Sequence, residues 1–419
     1  MPASDFRLFA NIGLDDSATV TQTSTVGEPS LGNNGRQLFV TGNWYATRSL
    51  DNGANWQFVS PSTTLPSAAG GFCCDQLTEY VPSRDMTIWL LQYRRDGNDE
   101  NVFRIAIKRG ATMDNNAWHW WDFSPRGVNA DWTGLWFDYP HMATTDDHLF
   151  VTFNVFNGAS RWQRAVVFKF PLDTLEAGTS LGYRWWSTTK NGSLRLTKGA
   201  GDTMYFGSHN NRSQLRLFQW QETATSVESW NINVTQWNGP TYSAPGPDGR
   251  DWLGRCDPRI TGAWVAEGII GFMWTVDSKG DRPLPHIRVA RIDASSKALI
   301  DQPDIWSRKA AWAYPAASPN CRGDVGYSMF YGGGERHPGH VVGIRDAFAS
   351  PYSFALTRTS TNGPTANKWG DYCGVEPHSP DGLTWVASGY TLRGDSGADV
   401  EPRYVHFGRR RDERAAERW

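Results

Sequence analysis

The sequence predicts an all-β protein, a single seven-bladed β-propeller of four-stranded antiparallel blades, and three observations carry this prediction. Helical periodicity is hard to find, whereas short apolar runs alternate with tight polar turns. An apolar, aromatic-rich strand recurs seven times, at intervals of 49, 62, 55, 65, 56 and 59 residues. Repetition at such a near-constant step is typical of propellers, whose blades need roughly 40–50 residues each. A jelly roll or tandem sandwich domains are the alternatives, but neither requires sevenfold repetition.

The seven recurring strands are each expected to be the second strand of a blade. They begin at Leu38, Thr87, Leu149, Met204, Ile269, Val325 and Thr384. Turn-forming residues precede five of them, at Asn33-Asn34-Gly35, Ser83-Arg84-Asp85, Asp146-Asp147, Gly201-Asp202 and Pro380-Asp381-Gly382. These residue types tolerate the tight, often left-handed conformations of hairpins. The turns therefore predict hairpins between the first and second strands of those blades.

The ends of the chain have separate predicted roles. No Pro/Ser-rich linker divides the sequence, so residues 1–408 are predicted to form the propeller. Residues 409–419 begin with an arginine-rich run and are predicted to be a charged C-terminal tail. We expect residues near Phe6–Ile12 to pair with the last blade around Arg403–Phe407, because this closure removes exposed sheet edges.

Composition excludes several classes of protein. The 419 residues include 41 Lys+Arg and 43 Asp+Glu, a formal net charge of −2, so no basic field favours nucleic acid. The sequence contains no run of about 18 apolar residues, so no membrane-spanning helix is predicted. The N-terminus has no apolar signal core, so either the protein is cytoplasmic or a signal was removed. An extracellular or periplasmic location and a monomeric state are the predictions, with the cytoplasm left open.

Five cysteines are too few for a disulfide scaffold, and their odd number leaves at least one thiol unpaired within a monomer. They are Cys73, Cys74, Cys256, Cys321 and Cys373, all expected at the axial ends of blades. Three interpretations stay open: a disulfide between neighbouring blades, with Cys321–Cys373 as the pair, a thiolate–histidine metal site at the axis, or buried free thiols. P-loop, zincin and nucleophile-elbow motifs are absent, and no cofactor is required by the sequence.

One segment resembles a known family. The run Ser49-Leu50-Asp51-Asn52-Gly53-Ala54-Asn55-Trp56 is similar to the Asp box, S-x-D-x-G-x-x-W, of sialidase-like β-propellers. Trp369–Tyr372 and Phe137–Pro140 resemble segments that open inner strands in bacterial propellers of that group. The resemblance implies a propeller in which the box closes a turn between the outer strands. It also implies kinship with propeller-type polysaccharide lyases and rhamnose–glucuronate-cleaving enzymes.

In such a propeller, the starts of the innermost strands and the loops between second and third strands meet on one face around the axis. The strand starts are Glu28, Asp75-Gln76, Asp138-Tyr139-Pro140-His141, Arg195, Asp257-Pro258-Arg259, Tyr314 and Asp371-Tyr372. The loops contribute Asn43-Trp44, Tyr93-Arg94-Arg95, Asn154, His209-Asn210, Trp274 and Gly333–His337. Aromatic faces suit sugar rings and arginine suits carboxylates, so this rim predicts an acidic oligo- or polysaccharide as partner.

The residue types on the rim favour β-elimination from a uronate. The predicted catalytic residues are His141 and Tyr139 as acid and base, His209 as second proton carrier and Arg259 as carboxylate clamp. His141, two residues after Tyr139, is expected on the same side of the strand. The predicted substrate-binding residues are Trp44, Arg94, Trp274, Asp371, Tyr372 and His337.

Two alternatives accompany the lyase hypothesis. A sialidase-like or other exo-glycoside hydrolase would use an acidic pair or a tyrosine nucleophile. However, Leu8 and Phe9 follow Arg7, where the family has an Arg-Ile-Pro motif. A non-catalytic glycan-binding propeller or interaction scaffold is the second alternative. The 22 tryptophans decide nothing here, because Trp56, Trp89, Trp264 and Trp385 are expected to pack blades together, and only Trp44 and Trp274 fall on the rim.

Overall fold

A computed structural model describes residues 5–14, 23–110, 117–239, 241–347 and 352–416. The last three residues of the predicted C-terminal tail lie outside these ranges. Within them the chain forms seven antiparallel sheets and little helix. None of the described helices is both long and apolar enough to cross a membrane. The predicted all-β, seven-bladed propeller is confirmed.

The first four blades follow the order of the chain, with each innermost strand first. Strand β1 (Phe6–Gly13) belongs to the last blade. Blade 1 contains β2 (Ser30–Asn33), β3 (Leu38–Gly42), β4 (Tyr45–Ser49) and β5 (Gln57–Val59). Blade 2 contains β6 (Phe72–Val81), β7 (Met86–Tyr93), β8 (Phe103–Arg109) and β9 (His119–Phe123), followed by helix α1 (Pro125–Val128). Blade 3 contains β10 (Leu135–Thr144), β11 (His148–Asn157) and β12 (Trp162–Pro171), then helix α2 (Leu172–Ala177) and β13 (Arg184–Thr188). Blade 4 contains β14 (Arg195–Leu196), β15 (Thr203–Asn211), β16 (Gln214–Gln221) and β17 (Glu228–Asn233).

The last three blades complete the ring. Blade 5 contains β18 (Ile260–Ala266), β19 (Ile269–Val276), β20 (His286–Asp293) and β21 (Leu299–Asp301), and β22 (Asp304–Ile305) also pairs with β20. Blade 6 contains β23 (Ala311–Pro319), β24 (Val325–Gly333), β25 (Arg336–Arg345) and β26 (Ser353–Thr359). Blade 7 contains β27 (Gly374–Pro377), β28 (Trp385–Leu392) and β29 (Val400–Arg409), followed by helix α3 (Arg410–Ala416).

The N-terminal strand closes the ring. Strand β1 is the outermost strand of blade 7 and pairs antiparallel with β29, from Phe6 opposite Arg409 to Gly13 opposite Arg403. The predicted closure is therefore confirmed. The first and last segments of the propeller are joined by main-chain hydrogen bonds, so the ring closes without a covalent link.

Aromatic side chains fill the space between blades. Trp89, Trp264 and Trp385 are at most 2% exposed, which confirms their predicted role in packing. In the turn between β4 and β5, Trp56 donates from Nε1 to the Gly53 carbonyl at 3.0 Å and packs its ring against Tyr404 of blade 7. Burying a large apolar side chain contributes roughly 2–3 kcal/mol, so most of the tryptophan excess stabilises the fold.

A buried ion trio joins three blades near the far ends of the innermost strands. Lys198, just after β14, lies 3.1 Å from Glu79 Oε2 in β6 and 2.7 Å from Glu376 Oε1 in β27. Burial raises the pKa of Glu376 to about 7, although Lys198 opposes that rise. The trio therefore connects blades 2, 4 and 7 across the axis. None of its members was singled out from the sequence.

Candidate functional site: the axial carboxyl cluster

Left-handed backbone recurs where the innermost strands begin. Glu28, Cys74, Tyr139 and Tyr314 have φ values of 46°, 41°, 55° and 53°. The pairing of β6, β10 and β23 with their neighbours also shifts register at these points. Positive φ is costly for residues other than glycine and concentrates at functional sites. The repeated bend turns the side chains at the strand starts toward the axis.

Four carboxyl groups gather there, and we call them the axial carboxyl cluster: Glu28, Asp75, Asp138 and Asp371. They come from blades 1, 2, 3 and 7. The Asp371 backbone N–H donates to Glu28 Oε1 at 2.9 Å, and Asn43 Nδ2 donates to Glu28 Oε2 at 2.8 Å. Gln92 Nε2 donates to Asp138 Oδ1 at 3.1 Å. Hydrogen bonds from three blades thus hold the side chains of Glu28 and Asp138 in place.

The cluster contains carboxyl groups with raised pKa values. Burial and the nearby Asp371 charge raise the pKa of Glu28 to about 7. Burial, together with the charges of Glu28, Asp138 and Asp371, raises the pKa of Asp75 well above its ordinary value. Burial also raises the pKa of Asp138, although the hydrogen bond from Gln92 opposes the change. Part of the cluster therefore holds protons near neutral pH.

Arg259 of blade 5 supplies positive charge to the cluster. Its Nε lies 2.6 Å from Asp257 Oδ2 and its Nη2 lies 3.2 Å from Asp371 Oδ2. Its guanidinium group also lies 4.3 Å from the centre of the Tyr139 ring. Burial raises the pKa of Tyr139 to about 12, so its hydroxyl stays protonated. The predicted Arg259 and Tyr139 are thus together, but the arginine is already paired with two aspartates.

Two buried tyrosine hydroxyls lie beside the cluster. The rings of Tyr139 and Tyr372 lie 6.4 Å apart, and burial raises the pKa of Tyr372 well above its ordinary value. Neither hydroxyl has a hydrogen-bond partner among the described residues. A buried hydroxyl without a partner costs about 1–3 kcal/mol, so a ligand that pairs with these groups recovers that energy.

An open cavity of about 610 Å³ adjoins Arg259 between blades 3, 4 and 5. Its walls include Phe156, Trp162, Lys190 and His209. The Trp162 indole donates from Nε1 to Asn154 Oδ1 at 3.2 Å, which fixes the ring. This volume falls in the range of sites for small ligands, and aromatic walls suit the C–H faces of a sugar ring.

His209, a predicted rim residue, lines this cavity. Its Nε2 donates to the Pro258 carbonyl at 2.6 Å, and its ring packs against Trp237 and Trp274. Burial lowers its pKa to about 4, so the ring is neutral near neutral pH. Trp274 is fully buried beneath it. Trp274, predicted to bind substrate, packs against His209 behind the cavity wall.

His141 lies deeper along the axis. The Leu196 N–H donates to His141 Nδ1 at 3.2 Å, and His141 lines a small cavity of about 40 Å³ with Arg195, Tyr372 and Cys373. Burial and the charge of Arg195 lower its pKa well below its ordinary value. The register shift between Asp138 and His141 interrupts the strict alternation on which the same-side expectation for Tyr139 and His141 rested.

The remaining predicted binding residues lie in different surroundings. Trp44 is half-buried, with the exposed Arg94 guanidinium 5.4 Å from its ring centre. His337 lies near Asp248, with 3.8 Å between His337 Nδ1 and Asp248 Oδ1. No described contact joins these three rim residues to the cluster, whereas Asp371 and Tyr372 form part of it.

The cysteines differ from the expectation. Cys73 and Cys74 form a disulfide, while Cys256, Cys321 and Cys373 are free, so the Cys321–Cys373 pairing is wrong. Cys321 follows the end of β23 and donates its N–H to Gly382 in the turn before β28, so it lies on the opposite face from the cluster. Among the described residues, no group of three or more His, Cys, Asp or Glu side chains could hold a metal ion.

Sequence reasoning placed Glu28, Asp75 and Asp138 on the rim but assigned them no role. The available signal was positional, because each carboxylate stands near the start of the first strand of its blade. Asn43 and Gln92, which hold two of them, lie on other strands and loops. Only the folded chain identifies these partners.

No protein-family model matches the chain, and the search of curated proteins found no match. Among solved structures, the chain is similar to the GH93 α-L-arabinofuranosidase of Fusarium graminearum in complex with arabinobiose, at 10% identity over 96% of this chain and 98% of that one, with a TM-score of 0.47. It is also similar to a Penicillium chrysogenum α-L-arabinanase complexed with arabinobiose. The identity is 9% over 97% of this chain and 99% of that one, and the TM-score is 0.45. A third is Trypanosoma rangeli sialidase with the inhibitor DANA, at 8% identity over 80% of this chain and 55% of that one, with a TM-score of 0.42. At these identities the comparison concerns the fold alone.

Proposed function

We propose that the protein is a glycoside hydrolase that cleaves a neutral glycoside at the axial carboxyl cluster. The observation that carries this proposal is the environment of Asp75 and Asp371. Burial among like charges raises the pKa of Asp75, whereas Asp371 is paired with Arg259. Carboxyl groups held in different protonation states are the requirement for acid–base cleavage of a glycosidic bond.

The roles follow from these environments. Protonated Asp75 donates its proton to the leaving oxygen, and Asp371 supplies the negative charge that acts on the anomeric carbon, directly or through water. Arg259 orients the Asp371 carboxylate, and Glu28 fixes the Asp371 backbone. The cavity beside Arg259 receives the rest of the glycan, with Trp162 as a stacking wall.

The surroundings of the histidines and of Arg259 favour hydrolysis over β-elimination. Elimination needs a base that titrates near neutral pH, but burial lowers the pKa values of both His141 and His209. Elimination also needs a cation free to pair with the uronate, but Arg259 is paired with Asp257 and Asp371.

The charges at the site favour a neutral sugar over an acidic one. Five carboxyl groups and three basic groups lie close together there. The carboxyl groups belong to Glu28, Asp75, Asp138, Asp257 and Asp371, and the basic groups belong to Arg195, Arg259 and Lys368. A uronate would bring a further negative charge next to Asp257 and Asp371, and Arg259 is already paired with both of these aspartates, which raises the cost of binding.

The test is a panel of neutral pentosides and hexosides beside uronate polymers, assayed both for reducing ends and for the ultraviolet absorbance of unsaturated uronates. We expect reducing ends from a neutral glycoside, without that absorbance. Asp75→Asn and Asp371→Asn should each abolish release, while Asp202→Asn, an exposed aspartate on the opposite face, should not. Unsaturated products that persist in both site variants would support a lyase. Binding without turnover of any substrate would support a glycan-binding module.

A further inference from the structure

A disulfide between adjacent residues lies next to the proposed proton donor. Cys73 and Cys74 are joined at the start of β6, and Asp75 follows directly. All three residues are half-buried on the face that carries the cluster, so a small solute reaches them. The other three cysteines of the chain are free thiols.

The main chain at this point is not held by its sheet. In the pairing of β6 with β7, Cys73 lies opposite Gln92, and the next paired residue, Gln76, lies opposite Leu91. Cys74 and Asp75 are therefore extra residues that leave the ladder, and Cys74 has a φ of 41°. Cys74 and Asp75 thus lie outside the main-chain pairing of the sheet, and the disulfide is a covalent constraint on this segment.

The Asp75 carboxyl group also has no hydrogen bond to hold it. Glu28 is held by Asn43 and by the Asp371 N–H, and Asp138 is held by Gln92. Among the described residues, none donates a hydrogen bond to the Asp75 side chain. Three like-charged neighbours repel its ionised form, and Lys368 is the main opposing charge. If its backbone were free, this carboxyl group could turn toward water and ionise there at a lower pH.

We propose that the Cys73–Cys74 disulfide is a positioning element that holds the Asp75 carboxyl group in the axial carboxyl cluster, and that its reduction releases Asp75 and lowers turnover. In that step a dithiol such as dithiothreitol gives two electrons and two protons to the S–S bond. Cys73 and Cys74 become thiols, and the dithiol becomes its cyclic disulfide. The effect on turnover rests on the hydrolase function proposed above, but the movement of Asp75 does not.

Two measurements without substrate test the positioning role. Alkylation and mass spectrometry should count three free thiols in the native protein and five after dithiothreitol. The infrared difference between wild type and Asp75→Asn should contain the carbonyl band of a protonated carboxylic acid near neutral pH. We expect that band to disappear from the reduced protein, because a released Asp75 faces water and ionises. A band that persists when five thiols are counted would overturn the proposal.

Kinetics provide the second test. Reduction should lower kcat at least tenfold with a smaller change in KM, and should move the alkaline limb of the pH profile to lower pH. Reoxidation should restore both. The double variant Cys73→Ser/Cys74→Ser should have the kcat of the reduced protein, and dithiothreitol should not change it further. The variant Cys321→Ser, altered on the opposite face, should still lose turnover when dithiothreitol is added.

The two proposals fail in different ways. If no glycoside is cleaved but the infrared band depends on the disulfide, then the hydrolase proposal fails and the positioning role stands. If glycosides are cleaved equally well by the native and the fully reduced protein, then the positioning role fails and the hydrolase proposal stands.

Discussion

The Nη2 atom of Arg259 lies 3.2 Å from the Oδ2 atom of Asp371, although the two residues belong to blades that are not neighbours. The same guanidinium group contacts Asp257 of its own blade and the Tyr139 ring of blade 3. One side chain thus connects three blades at the axis. If catalysis depends on the cluster, then it depends on this arginine.

Replacing Arg259 should therefore damage turnover. We expect Arg259→Gln to lower kcat roughly 10²-fold, because Asp371 loses the cation that orients it. Arg259→Lys keeps the charge but cannot bridge both aspartates, so it should recover only part of the rate. Arg250→Gln removes a surface arginine paired with Asp395 and serves as the control. Equal rates in the Arg259 and Arg250 variants would contradict the assignment.

The raised pKa of Glu28 should make stability depend on pH. Its ordinary value is 4.5 and its pKa in the folded protein is about 7. Between these values the folded state binds more protons than the unfolded state, so the free energy of unfolding falls as pH rises. The loss should reach about 3 kcal/mol between about pH 5 and about pH 8. Urea titrations of Glu28→Gln should show a shallower fall, and those of Glu335→Gln, an exposed residue, should match the wild type.

Lys198 should be required for stability. Lys198→Met leaves the buried Glu79 and Glu376 without their cation, and such a loss costs about 3–5 kcal/mol. Calorimetry should detect a large fall in Tm near pH 8 and a smaller one near about pH 5, where protonation of Glu376 relieves the repulsion. Lys309→Met, at an exposed position, should leave Tm unchanged. A Tm deficit of Lys198→Met that is independent of pH would argue against the trio.

Trp162 should contribute to substrate binding. Trp162→Ala removes an aromatic wall of the 610 Å³ cavity and should raise KM about tenfold with little change in kcat. Trp120→Ala removes a tryptophan that is 42% exposed on the outer strand of blade 2 and is the matched control. A fall in kcat with an unchanged KM would show that Trp162 supports the cluster instead of the sugar.

His141 distinguishes the proposed hydrolase from the lyase expected from sequence. In His141→Asn the side-chain oxygen can accept the Leu196 N–H in place of Nδ1, so turnover should stay within about fivefold of wild type. A fall in turnover of 10²-fold or more is typical when a general acid or base is removed. Such a fall would support the catalytic role of His141 that the sequence predicts.

The fold could be predicted because its signals are local and repeated. Short apolar, aromatic-rich runs set the strands, and turn residues such as Asn34 and Gly35 set the hairpins between them. Seven repetitions leave few architectures, and the need to cover the last sheet edge predicts the pairing of Phe6 with the end of the chain. Each of these inferences uses residues within one blade, or the simple rule that a ring closes.

The site could be predicted only in outline. The sequence by itself placed Glu28, Asp75, Asp138, Arg259 and Asp371 on one rim, since all stand at strand starts. Tertiary structure decided which of them touch, because closure of the ring brings together residues as far apart in the chain as Glu28 and Asp371, which are separated by 343 positions. It also decided burial, and burial shifts pKa values: it lowers those of His141 and His209 and raises that of Asp75. The sequence specifies the types of side chain at the site. Their protonation depends on neighbouring charges and on exposure to solvent, and both are determined only when the ring of blades closes.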